Sequence, residues 1–368
     1  MKETKNRAAR DVIVVGFALF SMFFGAGNVI FPPYLGMESG PQWLAGFSAY
    51  FIADIGLALA AMFALLRVGS SEAVLQRVGR VPSEILMCAI ILCVGPMVAI
   101  PRTSASTFEM AIAPNLPGVS AVVFSVLFFA LILALCIRES AVVDIVGKVL
   151  TPLLLAGLAA IIIKGIVTPL GTIAPEAKID SAVVTGVKAG YQTMDALAAL
   201  PFGILVLQSV IDKGYTESGK KFRIMSGSSI LACVLLLAVA LGVLAALAVS
   251  PESVGAQLPM LDLACRLGTA GVVYAVLLFL GMFGTSVSSL VAVLTYAGQK
   301  SARLAGHRTA LLLVLTAAAF AGSLFGFGDL IGTVYPVYGY LGMAAMLLVA
   351  EHAVHARRAG NNRAATGD

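Results

Sequence analysis

The chain has 368 residues, of which 60% are hydrophobic and only 12% are charged, and its mean hydropathy is +0.98. A water-soluble domain of this size would carry far more charge, so the composition excludes that class and indicates a chain that lies mainly in lipid. The net charge of +5 reflects basic residues that follow the membrane topology, which gives a nucleic-acid-binding function little support.

Ten stretches of the chain are apolar enough and long enough to cross a membrane. A helix needs about 20 apolar residues to span the hydrocarbon core. Lipid offers no partners to backbone groups, so we expect all ten stretches to be helices. The predicted spans are residues 12–36, 42–66, 83–101, 118–137, 145–166, 187–211, 224–249, 267–298, 309–327 and 330–350.

The distribution of Lys and Arg sets the predicted orientation, because basic residues are retained on the cytoplasmic side. With the N-terminus inside, most of the 24 basic residues fall in cytoplasmic segments. We therefore expect one membrane-embedded domain with cytoplasmic tails at 1–10 and 352–368. The first apolar run is too long for the core of a cleaved signal peptide, and residues 70–81 fit a short helix at the cytoplasmic interface. The basic residues predicted to lie outside are Arg102, Lys164, Lys178, Lys188 and Arg266.

Helix-breaking and polar residues interrupt the first and sixth spans. If these spans correspond, the chain divides into two sets of five, about 12–166 and 183–350, and the odd number places the second set upside down. Interrupted helices at matching positions of inverted halves indicate the central site of a transporter. Glycines that only permit close helix packing are the alternative, but Asn28 and the double proline favour a site. The residues concerned are Gly25, Gly27, Asn28, Pro32 and Pro33 in the first span, and the run 190–196, Pro201 and Gly203 in the sixth.

Four motifs, in this order along the chain, resemble the branched-chain amino acid:cation symporter family. They are the runs 23–33, 95–103, 147–155 and 190–197, and the resemblance extends from about residue 12 to residue 300. It implies the architecture of the amino acid–polyamine–organocation superfamily, a five-plus-five inverted repeat with unwound first and sixth helices. Members of the family usually have about 12 spans by the same length criterion, whereas ten are predicted here.

The resemblance implies sodium-coupled symport of leucine, isoleucine or valine by alternating access across the bacterial cytoplasmic membrane. A proton-coupled carrier, an exporter of another small substrate and a homologue that binds or senses without transport remain alternatives. The expected partners are the amino acid and the lipid bilayer, and the oligomeric state is left open.

An amino-acid substrate is a zwitterion, so its site needs donors for a carboxylate and acceptors for an ammonium group. Unwinding the first span at Gly25, Ala26 and Gly27 frees N–H groups beside the positive end of the next half-helix. Freed carbonyls would accept from the ammonium group. The predicted substrate site consists of Phe23, Gly25, Ala26, Gly27, Asn28, Tyr191, Gln192, Thr193 and Asp195.

The eighth span contains a hydroxyl cluster at 284–289 in an otherwise apolar helix. A sodium ion needs a shell of oxygen ligands in place of its water. By the resemblance, Thr285 and Ser286 supply side-chain oxygens, and Ser21, Phe24 and Met282 supply carbonyls. The alternative is that these hydroxyls bond their own backbone or a neighbouring helix, and Ser288 and Ser289 fit packing alone.

Charged residues at membrane depth are costly and usually functional. Asp195 would bind the amine or cation or transfer a proton, or it would cap the second half-helix. Asp54 lies at the centre of the second span, where a hydrogen-bonded structural role is expected. Arg102 and Glu109 are predicted near the outer surface, as a gate pair or an ordinary interfacial ion pair.

The sequence contains no arrangement of residues that would perform covalent chemistry. His307, His352 and His355 fall in predicted cytoplasmic segments, and the five cysteines have no metal-ligand spacing. There is no nucleophile elbow and no phosphate-binding loop. We therefore expect a protein that is not an enzyme and uses no cofactor beyond its coupling ion.

Overall fold

The computed structural model describes residues 2–68, 79–137, 143–168, 172–249 and 270–325. In these ranges the chain is helical with short connections, and it forms no strand. The predicted all-α fold class is confirmed.

The helices follow the predicted spans closely. Each of the first nine predicted spans falls on a helix or on a pair of helices, whereas the tenth, 330–350, lies outside the described residues. Short π-helical turns occur within α3, α4 and α6. The helices are α1 (Lys2–Phe23), α2 (Ala26–Glu38), α3 (Gly40–Leu66), α4 (Arg80–Ile112), α5 (Ala121–Cys136), α6 (Val143–Val167), α7 (Ala182–Thr193), α8 (Asp195–Asp212), α9 (Ser218–Ala248), α10 (Ala270–Lys300), α11 (Ala302–Gly306) and α12 (Arg308–Ser323).

Within the described residues, six helical segments are long and apolar enough to cross a membrane, and the bent pair α1–α2 brings the number to seven. The helices α5 and α12 are apolar but shorter. Large apolar side chains such as Leu127, Leu131 and Val314 are more than half exposed on these shorter helices. Such faces suit contact with lipid chains, so the protein is a multi-pass membrane protein.

The first predicted interruption lies between α1 and α2. The chain bends there by 70°, and Gly25 adopts an extended backbone with φ −105° and ψ −165°. The amide of Gly25 donates to the carbonyl of Phe23 at 2.7 Å instead of continuing the helical ladder. Pro32 and Pro33 lie inside α2.

The second predicted interruption lies between α7 and α8, at Met194. This residue adopts the left-handed conformation, with φ 70° and ψ 9°, which costs an L-residue about 1–2 kcal/mol. It is the only non-glycine residue with a positive φ in the described part of the chain. Pro201 and Gly203 lie within α8 and do not end it.

The centre of the molecule is formed by α8 and α10, whose side chains are mostly buried. The helix α10 packs against α1, α4, α6 and α8, while α7 packs against α3 and α9 packs against α1 and α2. Both interruptions therefore lie in the interior, at the depth where α10 carries its hydroxyl cluster.

The prediction that the third span ends at residue 101 was wrong. The helix α4 continues to Ile112, with a kink at Gly95 and Pro96. Arg102 is only 3% exposed, so it lies in the interior and not near the outer surface, whereas Glu109 is exposed. A criterion that ends a span at its first charge fails here because the charge is buried within the protein.

Two further expectations concern the ends and connections. Residues 2–10, expected as a tail, continue α1 as helix, and the tail 352–368 lies outside the described residues. Most of the interfacial helix expected at 70–81 also lies outside them, and Arg80 and Val81 belong to α4.

Candidate functional site

The two helix interruptions touch each other. A side-chain carbon built on Gly27 would lie 2.7 Å from the Cα atom of Thr193, so only glycine allows this approach. A carbon built on Gly25 would lie 3.4 Å from the methyl group of Thr285 and 3.9 Å from a guanidinium nitrogen of Arg102. The two interruptions, α4 and α10 therefore meet at one place, which we call the junction.

The start of α2 presents backbone donors at this junction. Gly25 precedes the helix and provides no side-chain cap. The first-turn amides of Ala26, Gly27 and Asn28 have no acceptor within their own helix, and the positive end of the helix dipole lies there. All three residues are buried. This arrangement suits a carboxylate.

Asn28 links the two interruptions through its side chain. Its amide nitrogen donates to the carbonyl of Phe23 at 2.9 Å and to Oδ2 of Asp195 at 2.8 Å. The hydroxyl of Tyr50 on α3 donates to Oδ1 of Asn28 at 3.0 Å. Asp195 therefore pairs with Asn28, and Met194 occupies the capping position of α8, so the interpretation of Asp195 as a cap was wrong.

Thr193 joins Asp54 to the same network. Its hydroxyl lies 2.5 Å from Oδ1 of Asp54 and 2.7 Å from the carbonyl of Gly190. The backbone amide of Asp195 donates to the Thr193 hydroxyl at 3.4 Å. Asp54 is thus hydrogen-bonded, as expected, but it belongs to the junction.

The remaining predicted acceptors lie on the last turn of α7. Tyr191 and Gln192 are half-buried. The carbonyl of Tyr191 accepts from the amide of Met194 at 3.3 Å, and the carbonyl of Thr193 lies 3.5 Å from the guanidinium of Arg102. The structure thus brings every predicted substrate-site residue to the two interruptions.

Thr285 connects α10 to the first interruption. Its hydroxyl lies 2.9 Å from the carbonyl of Ser21, 3.1 Å from that of Phe24 and 3.2 Å from that of Gly281. One hydroxyl proton serves only one of these acceptors at a time. The converging oxygens carry no formal charge and suit a monovalent cation.

The other predicted cation ligands are next to Thr285. The hydroxyl of Ser286 donates to the carbonyl of Met282 at 2.8 Å and lies 2.5 Å from the hydroxyl of Thr103. Ser286 therefore bonds its own helix, as the structural alternative expected, and also reaches α4. The hydroxyls of Ser21, Ser288 and Ser289 are buried, and none of them has a hydrogen-bond partner among the described residues.

Four residues of the junction were absent from the predicted site: Tyr50, Asp54, Arg102 and Thr103. All four are buried, and Asp54 had been expected in a structural role. A signal for two of them was present, because Arg102 and Thr103 begin a polar run that continues an apolar span. This run, with Ser104, Ser106 and Thr107, is buried in α4.

A cavity of about 880 Å³ lies beside the C-terminal half of α8. It extends between α8, α10 and α12. Polar side chains line much of it, including Gln208, Ser209, Asp212, Gln299 and Arg308.

Comparison with known families identifies the family of the chain. The sequence model described as "Branched-chain amino acid transport protein" matches residues 8–364. The chain belongs to the branched-chain amino acid transport protein family. The predicted resemblance is confirmed.

Individual members of the family show the same relationship. The chain is 37% identical over 216 residues to the branched-chain amino acid permease BraB of Bacillus subtilis, covering 57% of this chain and 48% of the permease. It is 38% identical over 212 residues to the branched-chain amino acid transport system 3 carrier protein of Pseudomonas aeruginosa, covering 56% and 48%. It is 36% identical over 222 residues to the permease BrnQ of Escherichia coli, covering 58% and 50%.

The chain thus spans about half the length of the curated relatives it matches. These relatives are named permeases and carriers, which agrees with the prediction of a transport protein and not an enzyme.

The fold matches that of a solved transporter. A Na⁺-coupled sialic acid symporter, in a substrate-bound outward-open state, superposes with a TM-score of 0.60 over 92% of this chain and 78% of the symporter. At 13% sequence identity the similarity concerns the fold alone. The branched-chain amino acid transport protein family therefore has, in this member, a transporter fold.

Proposed function

We propose that this protein is a sodium-coupled symporter of leucine, isoleucine and valine in the bacterial cytoplasmic membrane. The observation that carries the proposal is the contact of the Thr285 hydroxyl with the carbonyls of Ser21 and Phe24. Those carbonyls lie at the helix interruption that also presents the predicted substrate donors. A sodium ion bound there would hold α10 and α1 together and fix the geometry of the substrate site.

Family membership supports the substrate class, because the relatives are named for branched-chain amino acids. In this proposal the amides at the start of α2 bind the substrate carboxylate, and the guanidinium of Arg102 adds a positive charge near Gly25. The ammonium group binds the carbonyl of Phe23 and the carbonyls at the end of α7, beside Asp195. Both charges of the zwitterion then have partners in a buried site.

Alternating access supplies the transport step. The interrupted helices rock with their partners against the remaining helices, so the junction faces each side in turn. The cavity beside α8 and α10 suits the path to the cytoplasm. Sodium biases loading only if it binds the outward-facing state more tightly than the inward-facing state.

Uptake into proteoliposomes tests this function. The purified chain is reconstituted, and uptake of radiolabelled leucine, isoleucine and valine is measured under inward sodium, potassium and proton gradients. We expect accumulation under the sodium gradient alone, with alanine and lysine competing poorly. Accumulation under the proton gradient alone would replace sodium by a proton, and binding without uptake or counterflow would indicate a sensor.

A further inference from the structure

Two buried carboxyl groups lie at the junction without a role in cation binding. Asp54 on α3 is fully buried, and Asp195 at the start of α8 is 6% exposed. An ionised carboxylate at this depth is costly unless a positive charge or a proton compensates it. Neither residue contacts Thr285, whose oxygen partners are Ser21, Phe24 and Gly281.

The two carboxyl groups belong to one hydrogen-bonded unit. The Thr193 hydroxyl joins Oδ1 of Asp54 to the amide of Asp195, and Asn28 binds Oδ2 of Asp195. The other oxygen of Asp54, Oδ2, is buried and accepts no hydrogen bond from any residue that the structure describes. A buried carboxylate oxygen without a donor is the expected position for a proton.

The charges around this pair do not balance without a proton. Arg102 reaches the junction from α4 and interacts electrostatically with Asp195. In the described part of the chain, the other titratable groups that interact with the pair or its neighbours are Tyr50 on α3, Cys93 on α4 and Cys233 on α9. Tyrosine and unactivated cysteine are neutral at neutral pH. Among the described residues, one positive charge therefore faces two carboxyl groups.

We propose that Asp54 and Asp195 hold one proton between them in the substrate-free protein, and so form a proton site separate from the cation site at Thr285. Arg102 compensates one negative charge and the shared proton removes the other, which leaves the buried cluster neutral. Two adjacent carboxylates resist joint ionisation for the same reason.

The position of the pair links its proton to the substrate. Asp195 and the carbonyl of Phe23 accept from the same Asn28 amide, so an ammonium group at Phe23 lies beside Asp195. A positive group there favours loss of the shared proton. This consequence rests on the proposed function, whereas the proton site itself does not.

Infrared spectroscopy of the full chain in lipid nanodiscs tests the proton site without any substrate. Spectra in sodium-free choline buffer at neutral pH, in H₂O and D₂O, report the carbonyl stretch of a protonated carboxyl group. We expect this band in the native protein and its loss in both Asp54→Asn and Asp195→Asn, because Arg102 alone then balances the remaining carboxylate. Arg102→Gln removes that charge and should raise the band about twofold.

The exposed Asp212 on the same helix as Asp195 gives the matched control, and Asp212→Asn should leave the band unchanged. No band in the native protein, or a band that survives in both single variants, would overturn the proposal. The increase in Arg102→Gln is a gain of signal that a misfolded variant would not produce.

Leucine binding to the same samples provides a second readout. If the ammonium displaces the proton, leucine affinity should rise with pH by at most about tenfold per unit, and this dependence should vanish in Asp54→Asn. The band without any leucine binding would contradict the proposed function and leave the proton site standing. Leucine binding without the band would contradict the proton site and leave the proposed function standing.

Discussion

At the scale of single residues, the junction depends on a close approach of two backbone segments that a side chain would prevent. Gly27 faces the backbone of Thr193 directly, and Gly25 faces the side chains of Thr285 and Arg102 at ordinary contact distance. The two glycines of one motif therefore have different requirements. Space is decisive at Gly27, whereas the extended backbone of Gly25 is open to other residues and a methyl group there would meet only movable side chains.

We predict that Gly27→Ala abolishes leucine uptake by the reconstituted protein. Its methyl group would lie 2.7 Å from the Cα atom of Thr193, and a backbone atom cannot rotate away, so the two interruptions must separate. Gly25→Ala should retain more uptake, because its methyl group meets the movable side chain of Thr285 at 3.4 Å. The control is Gly219→Ala, where no atom lies within 4 Å. Equal uptake by the Gly27 and Gly219 variants would refute this steric argument.

The sequence allowed part of the junction to be predicted, and the limits have physical causes. The contact of Thr285 with Ser21 and Phe24 was predicted through the family resemblance, which places a cation between the first span and the eighth. Arg102 was misplaced because its charge looks like the end of a span when burial is unknown. Tyr50 lies on a span without a motif, so only the packing of α3 against α2 reveals its contact with Asn28.

At the scale of helices, the two interruptions use different chemistry. The α1–α2 bend lies at Gly25, whose extended backbone is one that other residues also adopt at low cost. The α7–α8 interruption lies at Met194, for which the left-handed conformation is energetically unfavourable. Its side chain is buried, with its sulfur 3.9 Å from that of Cys93. Packing therefore outweighs the backbone cost at this position.

We predict that Met194→Gly and Met194→Ala both destabilise the protein, but by different amounts. Each loses the buried side chain, which costs about 2–5 kcal/mol. Glycine then avoids the left-handed penalty that alanine retains, so Met194→Gly should be more stable than Met194→Ala by about 1 kcal/mol. Denaturant unfolding in detergent measures the difference. A less stable glycine variant would mean that the left-handed backbone is not maintained without the methionine.

The sequence predicted where both interruptions occur but not how they form. Glycines and Asn28 identified the first, and the polar run 190–196 identified the second. The left-handed residue could not be located, because methionine has no preference for that conformation and tertiary contacts impose it. The kink of α4 at Gly95 and Pro96 lies inside a motif that was used only for family resemblance.

At the scale of the whole molecule, hydropathy predicted most of the architecture because lipid imposes a simple rule. Apolar runs of sufficient length become helices, and nine predicted spans coincide with helices in the described residues. The ten-helix count and the inverted repeat stay predictions, since residues 326–368 are not described. The transporter fold places α8 and α10 at the centre, where α10 packs against a half of each interrupted span, α1 and α8.

The central claim is that the Thr285 site couples sodium to amino-acid transport. The most direct test compares sodium-driven leucine accumulation in proteoliposomes containing the native protein, Thr285→Ala or Thr285→Ser. We predict that alanine weakens the apparent sodium affinity about tenfold or more, because one oxygen ligand contributes roughly 1–3 kcal/mol. Serine keeps the hydroxyl and should remain close to native. An alanine variant with native sodium dependence would contradict the claim.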